Sequence, residues 1–384
     1  MKPVNVRWAM FVLAMLVSGC ASVDTPVSMQ GPLVIAEQGY FHAGGRLVQS
    51  ANGQIMTGQM FVQYQIPQDR RHPYPVVMIH GGGQTGTNFL STPDGRQGWA
   101  EYFLRAGYAV YVVDQAGRAR SGFFTEAYGK TRRPNTEAMS NRFTAFAQSR
   151  EWPQAHLHTQ WPGTGRVGDA TYERFFASQV EDIADLDLIE TLNRDAGAAL
   201  LERIGPAILL THSQSGPLGW LIANERPKLV KGIVAVEPSG PPFAEVAFIG
   251  APNWFKDGAP NRFHGITRQP LAFSPAVTSP RDLQVVQQAA PDAPDLVRCR
   301  LQAEPARQLV HLAGIPTLIV VSESSYHAPY DHCTARFLTQ AGVANDFVRL
   351  PQVGIRGNGH MMMLERNNLE VAAFLDGWLR RRVR

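Results

Sequence analysis

Six short, largely continuous apolar runs constrain this chain more than any other feature: Val76–His80, Tyr108–Asp114, Ala207–Thr211, Gly232–Glu237, Thr317–Val321 and Asp346–Leu350. Runs of this length are too short for buried helices, and without strict alternation they read as strands covered on both faces. Helical patterns separate most of them, at Trp99–Arg105, Ser178–Leu201, Pro217–Asn224, Tyr330–Gln340 and Leu369–Arg382; in the second, Val180, Ile183, Ala184 and Leu188 share one side. Strand and helix alternating in this way imply right-handed crossovers and a mostly parallel central sheet flanked by helices, an α/β fold. Leu33–Glu37 and Ile55–Pro67 read as an antiparallel entry to that sheet. No internal repeat is visible.

Two long intervals interrupt the alternation. Residues 123–172 are rich in Pro, Gly, Trp, His and Thr, and residues 239–312 carry Pro-Pro, Ala-Pro and Ser-Pro punctuation. Loops of that length inside a compact domain carry function or small helices of their own. Both read as cap segments above the C-terminal edge of the sheet, where open α/β folds bind ligands. Trp152, Trp161, Phe175, Phe176, Trp254 and Phe255 suggest an apolar or aromatic lining for the cleft beneath.

The N-terminus has the organisation of an export signal: basic Lys2 and Arg7, then an apolar run from Trp8 to Val17 that is too short to span a bilayer. Val17-Ser18-Gly19-Cys20 resembles the bacterial lipobox, which implies cleavage after residue 19, lipidation of Cys20 and a linker over 20–31. Ala21 and Ser22 follow, so the expected address is the outer membrane of a bacterial envelope, facing the periplasm, with membrane contact through the lipid. The chain has 36 basic and 32 acidic residues, and losing Lys2 and Arg7 leaves 34 − 32 = +2. A balance so near neutral gives no nucleic-acid partner. Of three cysteines, lipid consumes one and leaves Cys299 and Cys333, an even pair in an oxidising compartment, expected as a disulfide.

The chemistry is carried by Thr211-His212-Ser213-Gln214-Ser215-Gly216, directly after a strand and directly before a helix. A strand that turns sharply into a helix needs small residues around the turn and presents the turn residue's side chain, here the Ser213 hydroxyl. Ser215 as nucleophile is the competing register, and a serine-rich helix cap the non-catalytic reading. A serine hydroxyl needs a base, and the base an orienting acid. His360, ending the Gly-rich loop Gly354–Gly359 before the last helix, is the candidate base. Glu237 and Glu323 each end a strand within reach, with Asp331 a third candidate, and the residues alone leave the acid open. His80-Gly81-Gly82-Gly83 frees backbone amides for an oxyanion hole, with Gly82 or Gly83 as one donor and Gln214 as the other. His156 with His158, and His327 with Asp331 and His332, lack the partners of a zinc site, so no metal or cofactor is expected.

Together with Thr85-Gly86, Thr92-Pro93-Asp94-Gly95-Arg96, Gly98-Trp99, Asp114-Gln115, His158-Thr159-Gln160-Trp161-Pro162-Gly163, Val236-Glu237-Pro238 and His360-Met361-Met362-Met363, these motifs resemble a bacterial esterase family of the α/β-hydrolases over most of the mature chain. The resemblance implies the α/β-hydrolase fold over residues 32–384 and makes Glu237, after strand six, the acid of a Ser-Glu-His triad. Members can carry adjacent cysteines beside the oxyanion hole, where this chain has Gly82-Gly83. The expected activity is hydrolysis of a small or medium carboxylic ester. The same triad also serves lactones, amides and diketone C–C bonds, and a catalytically silent ligand-binding lipoprotein is the alternative of another class.

Overall fold

The apolar runs join one eight-stranded sheet in the computed structural model, which describes residues 31–383. Its strands are β1 (Ile35–Ser50), β2 (Gly53–Pro67), β3 (Val76–Ile79), β4 (Val110–Asp114), β5 (Ala207–His212), β6 (Val230–Val236), β7 (Thr317–Val321) and β8 (Asn345–Arg349), in the spatial order β1-β2-β4-β3-β5-β6-β7-β8. From β4 to β8 every neighbour is parallel, while β1 and β2 are antiparallel. This is the α/β-hydrolase arrangement expected from the sequence. The leader, Cys20 and nearly all of the linker lie outside the described residues.

Alternation along each strand builds two cores. Val77, Ile79, Leu209, Ile233 and Ile319 pack with α2 (Leu186–Ile204), α3 (Ser215–Glu225) and α4 (Asp331–Gln340). Val76, Met78, Leu210, Val234 and Val320 face the other way, onto α1 (Trp99–Arg105) and α5 (Asn368–Arg382). The central strands β3, β5, β6 and β7 therefore bury both faces, which is why their sequences show little polar alternation.

Two elements differ from the sequence reading. The entry strand is 16 residues long, not the five of Leu33–Glu37, and pairs with β2 from Ile35↔Pro67 to Ser50↔Gly53. Its polar, Gly-containing second half is stabilised by this pairing and by α2, not by an apolar pattern of its own; a side chain at Gly44 would collide with the Ala196 backbone. The helix expected from Ser178 begins at Leu186, because the Asp185 carboxylate caps it, accepting from Asp187 N at 2.9 Å and Leu188 N at 3.1 Å. Val180 and Ile183 thus lie on the approach to the helix, where Val180 N donates to Gly83 O at 2.8 Å and Asp182 is drawn into an ion pair.

Within 123–172 the chain makes short helical turns, including a single π turn at Ser140–Thr144. Residues 239–312 form three small antiparallel ladders, Ala244–Phe248 with Phe255–Pro260, Phe273–Ser274 with Gln308–Leu309, and Val285–Gln287 with Arg300–Gln302. Cys299 is bonded to Cys333 in α4, as expected, with Cα atoms 5.1 Å apart. The bond closes a loop of 34 residues. Among the described residues, no helix is long and apolar enough to cross a membrane.

Candidate active site

At the end of β5 the backbone turns into α3 through Ser213, whose φ is +56°. A non-glycine residue held there costs about 1–3 kcal/mol, so the surroundings must enforce it. Ser213 N donates to Val236 O at 3.0 Å, and Ser213 O accepts from Gly216 N and Ser239 N at 2.9 Å each. Any side chain at Gly216 would collide with Pro238. The result lifts the Ser213 side chain into a cavity. Ser215, by contrast, is fully buried, donating to Ile79 O at 2.6 Å and accepting from His212 N at 2.8 Å, so its hydroxyl ties β5 to β3.

Glu237 follows β6 at φ +45°, and its Oε2 lies 2.6 Å from His360 Nδ1. Its other oxygen accepts from Ser322 N at 2.8 Å and Ser325 Oγ at 2.7 Å, which fixes the carboxylate on three sides. Burial pushes Glu237 up to about 7 and pushes His360 well below its ordinary range, the Arg142 guanidinium adding to the latter. The histidine is thus held neutral, as a base requires. Its ring is stacked between neighbours, 4.7 Å from His327 and 5.2 Å from Phe143. Nε2 contacts the Tyr326 hydroxyl at 3.2 Å, and that hydroxyl also hydrogen-bonds the Ser213 side chain. Tyr326 therefore stands between serine and histidine, a position no sequence motif marks.

Glu323, the alternative acid, does not reach His360. It accepts from Gly357 N at 2.7 Å and pairs with Arg356 at 3.0 Å, fastening the loop that delivers the histidine. Asp331 bonds His327 Nδ1 at 2.9 Å. Glu365 secures the far end of the loop, accepting from Gly359 N at 2.9 Å, Asn358 Nδ2 at 2.8 Å and His158 Nε2 at 2.7 Å. His158 is thereby a brace for this loop, and His156 stays exposed beside Pro153 O.

The glycine loop after β3 is held by a buried cation. Arg118 Nη1 donates to Gly81 O at 2.8 Å, and Nη2 to the Gln214 side chain at 3.0 Å and to Asp182. Burial opposes ionisation of Asp182, but Arg118 and then Arg132 outweigh it and keep the carboxylate charged. With Gly81 O turned toward Arg118, planarity of the trans peptide turns Gly82 N–H to the opposite side. Gly82, Gly83, Ser213 and Gln214 line the same cavity. Arg118 and Asp182 were not singled out from the sequence; the Arg in Asp114-Gln115-Ala116-Gly117-Arg118 was the available signal.

The cavity holds about 390 Å³. Its wall corrects the aromatic expectation: none of Trp152, Trp161, Phe175, Phe176, Trp254 and Phe255 reaches it. Trp152 and Trp161 are buried instead in packing with Phe146 and Phe175. Apolar atoms come from Met139, Phe143, Leu186 and Ile189, and five arginines complete the wall. Among the described residues, two groups could offer metal ligands. In the first, Cys299 and Cys333 are committed to their disulfide and leave His332 alone; in the second, Glu237, His327 and His360 bond one another or Asp331.

A parallel sheet with this strand order, a strained serine at the β5–α3 turn and a carboxylate–histidine pair on the following loops define a class. The chain belongs to the α/β hydrolase family, whose model matches residues 76–374. It is 47% identical over 325 residues to a probable secreted lipase, phiG, of Fungal sp. (strain ATCC 74256), a match covering 84% of this chain and 86% of that one. A solved structure described as a novel bacterial esterase is 27% identical with a TM-score of 0.63, covering 93% of this chain and 99% of that one.

Proposed function

We propose that the protein is a serine esterase acting through an acyl-enzyme, with Ser213 as nucleophile, His360 as base and Glu237 as the acid that orients it. The observation that carries this reading is the chain of contacts from Glu237 Oε2 to His360 Nδ1 at 2.6 Å, and from His360 Nε2 through the Tyr326 hydroxyl to Ser213. Ser213 Oγ attacks the ester carbonyl as its proton moves toward His360. In this geometry the Tyr326 hydroxyl takes the serine proton while passing its own to Nε2. Burial pushes the phenol up to about 12, so it bridges without remaining ionised. The amides of Gly82 and Gln214 receive the oxyanion, and the imidazolium then protonates the departing alcohol. Water enters by the same route in reverse and releases the acid.

A fluorophosphonate, which labels only activated serines, tests this directly on protein beginning after Cys20. The expected result is a single adduct on Ser213 and none in Ser213→Ala. Folded protein that takes no label and turns over no ester would favour the silent binding lipoprotein. A panel of ester, lactone, amide and diketone substrates separates the bond classes.

The chain is read as an exported envelope protein anchored through lipid on Cys20, in the outer membrane facing the periplasm. The lipobox-like Val17–Cys20, the Cys299–Cys333 disulfide and the likeness to a fungal protein described as a probable secreted lipase support export. Incorporation of labelled fatty acid that is lost in Cys20→Ser is the check on the anchor.

A further inference from the structure

Four of the five arginines lining the cavity have a carboxylate beside them. Arg132 pairs with Asp182 at 2.8 Å, Arg262 with Glu245 at 2.9 Å, Arg268 with Asp187 at 3.4 Å, and Arg133 with Glu181. Arg142 does not: among the described residues, no carboxylate lies within 4 Å of its guanidinium, which hydrogen-bonds the Tyr326 side chain and feels Glu245 only at longer range. It sits on the π turn Ser140–Thr144, next to the Phe143 that stacks on His360, and lies 4.1 Å over the Tyr326 ring. Such turns occur often at functional sites because they re-aim one side chain within a helix.

Its position is a disadvantage for the chemistry taken alone. An imidazolium must form on His360 during the reaction; burial already lowers the proton affinity of His360, and a guanidinium with no carboxylate in contact lowers it further. The cavity's remaining charge compensates only in part, through Glu245 acting on Arg142 at longer range. Of its three carboxyls, Asp182 is shared between Arg118 and Arg132, and Glu245 is committed to Arg262. Glu190 is bound by Arg268 N and Gln269 N at 2.8 Å each and is pushed up by burial to about 7, so it is only partly charged at neutral pH. A bound anion would supply the missing counter-charge.

We propose, building on the esterase reading, that the preferred substrates are esters bearing a carboxylate besides the ester group, with Arg142 as the anchor of that carboxylate. The planar fork of a guanidinium matches a carboxylate, and a charge-assisted contact of this kind discriminates by about ten- to a hundredfold. The anchored carboxylate also neutralises the cation beside His360, so the gain falls on turnover as well as on binding.

The test uses three chromogenic esters. 4-Nitrophenyl butyrate is neutral, mono-4-nitrophenyl glutarate carries the carboxylate on the acyl side, and 4-carboxyphenyl butyrate carries it on the leaving group. At least one anionic ester is expected to exceed the neutral one, in kcat/KM corrected for leaving-group reactivity, by tenfold or more. That ratio should collapse in Arg142→Gln, recover in part in Arg142→Lys, and shrink in 0.5 M salt by screening of about the expected kind. Equal rates on all three esters, or a loss in Arg142→Gln that is the same for neutral and anionic substrates, would overturn the proposal. Glutarate binding to the Ser213→Ala protein, followed by calorimetry, reads the anion site without turnover. Binding lost in the Ser213→Ala/Arg142→Gln double variant supports the site even if no ester is hydrolysed, in which case only the esterase reading fails. No binding, together with hydrolysis lacking any preference, removes the anion site alone.

Discussion

Glu237→Gln separates orientation from stability more sharply than any other single change. In the protein as it stands, Glu237 Oε1 accepts from Ser322 N and Ser325 Oγ while Oε2 faces His360 Nδ1. A glutamine placed in the same contacts must give its single oxygen to the two serine donors, which turns its amide NH₂ toward Nδ1. Nδ1 then has to accept, so the ring proton moves to Nε2, and the nitrogen that should take the serine proton carries one already. In serine proteases, the carboxylate-to-amide change at the equivalent place lowers kcat by about 10⁴, which is about 5.4 kcal/mol of barrier at ~1.36 kcal/mol per decade. The fold should tolerate the change, because burial disfavours the charge that is being removed. The assay is kcat on a 4-nitrophenyl ester beside thermal unfolding of the same sample: activity down about 10⁴-fold, melting temperature unchanged or raised. Glu323→Gln, which gives up a pair with the exposed Arg356 and can still accept from Gly357 N, should stay within about fivefold of the parent. A Glu237→Gln protein retaining a tenth of its activity, or equal losses in the two variants, would refute the reasoning.

Arg118→Met removes the cation that orients Gly81 O and leaves Asp182 buried with Arg132; kcat should fall by about 10²-fold and stability by about 3–5 kcal/mol, read by ester kinetics and urea unfolding, and full activity would mean that Gly82 is oriented by other contacts. Tyr326→Phe takes away the hydroxyl between Ser213 and His360 and should lower kcat about 10²-fold with little effect on KM; an unimpaired variant would point to direct proton transfer. Replacing Cys299 and Cys333 by serine opens a 34-residue loop and should cost about 3–4 kcal/mol in urea unfolding, and a loss under ~1 kcal/mol would show that the surrounding ladders hold unaided. Burial holds His80 and His212 near about 3 and His332 near about 4. On unfolding they regain an ordinary value of about 6.5 and bind protons, so their stabilisation is complete above pH ~6.5 and is lost as pH falls below it, by up to ~1.4 kcal/mol per unit for each. Glu190 and Glu237, raised to about 7, release protons on unfolding and oppose this between about pH 4.5 and 7. With three imidazoles against two carboxyls, and His327 and His360 lowered in the same direction against a raised Asp331, the urea midpoint should be lower at pH 5 than at pH 7. A flat profile would count against this balance.

The central sheet was legible because burial on both faces leaves a mark in the residues themselves: Val76–Ile79 and Ala207–His212 cannot be much else. Ser213 and His360 were legible for a related reason, since an abrupt turn and a Gly-rich loop each restrict which residues fit. The acid was not. Glu237 and Glu323 both end a strand, and only the side-chain directions distinguish them, one toward His360 and the other toward Gly357 N. The start of α2 was misplaced because Val180 and Ile183 satisfy a helical period, while the capping by Asp185 and the pull of Arg118 on Asp182 are decided over 64 residues of chain. Arg142 and Tyr326 lie in segments without periodicity, and their importance comes from what folds against them. The aromatic lining was wrong for the same reason: large rings in a long insertion served its own packing.

Both ends of the described chain leave on one side. Ile35 pairs with Pro67, and Gln65 pairs with Val110 at the beginning of β4, so β1 starts at the edge of the sheet opposite Ser213. The end of α5 returns to that same edge, where Val383 packs over Gly232 near the start of β6 and beside Pro316 at the start of β7. A fusion partner, a bead or a surface coupled to either end is therefore attached behind the molecule, and the mouth of the cavity keeps facing the bulk liquid.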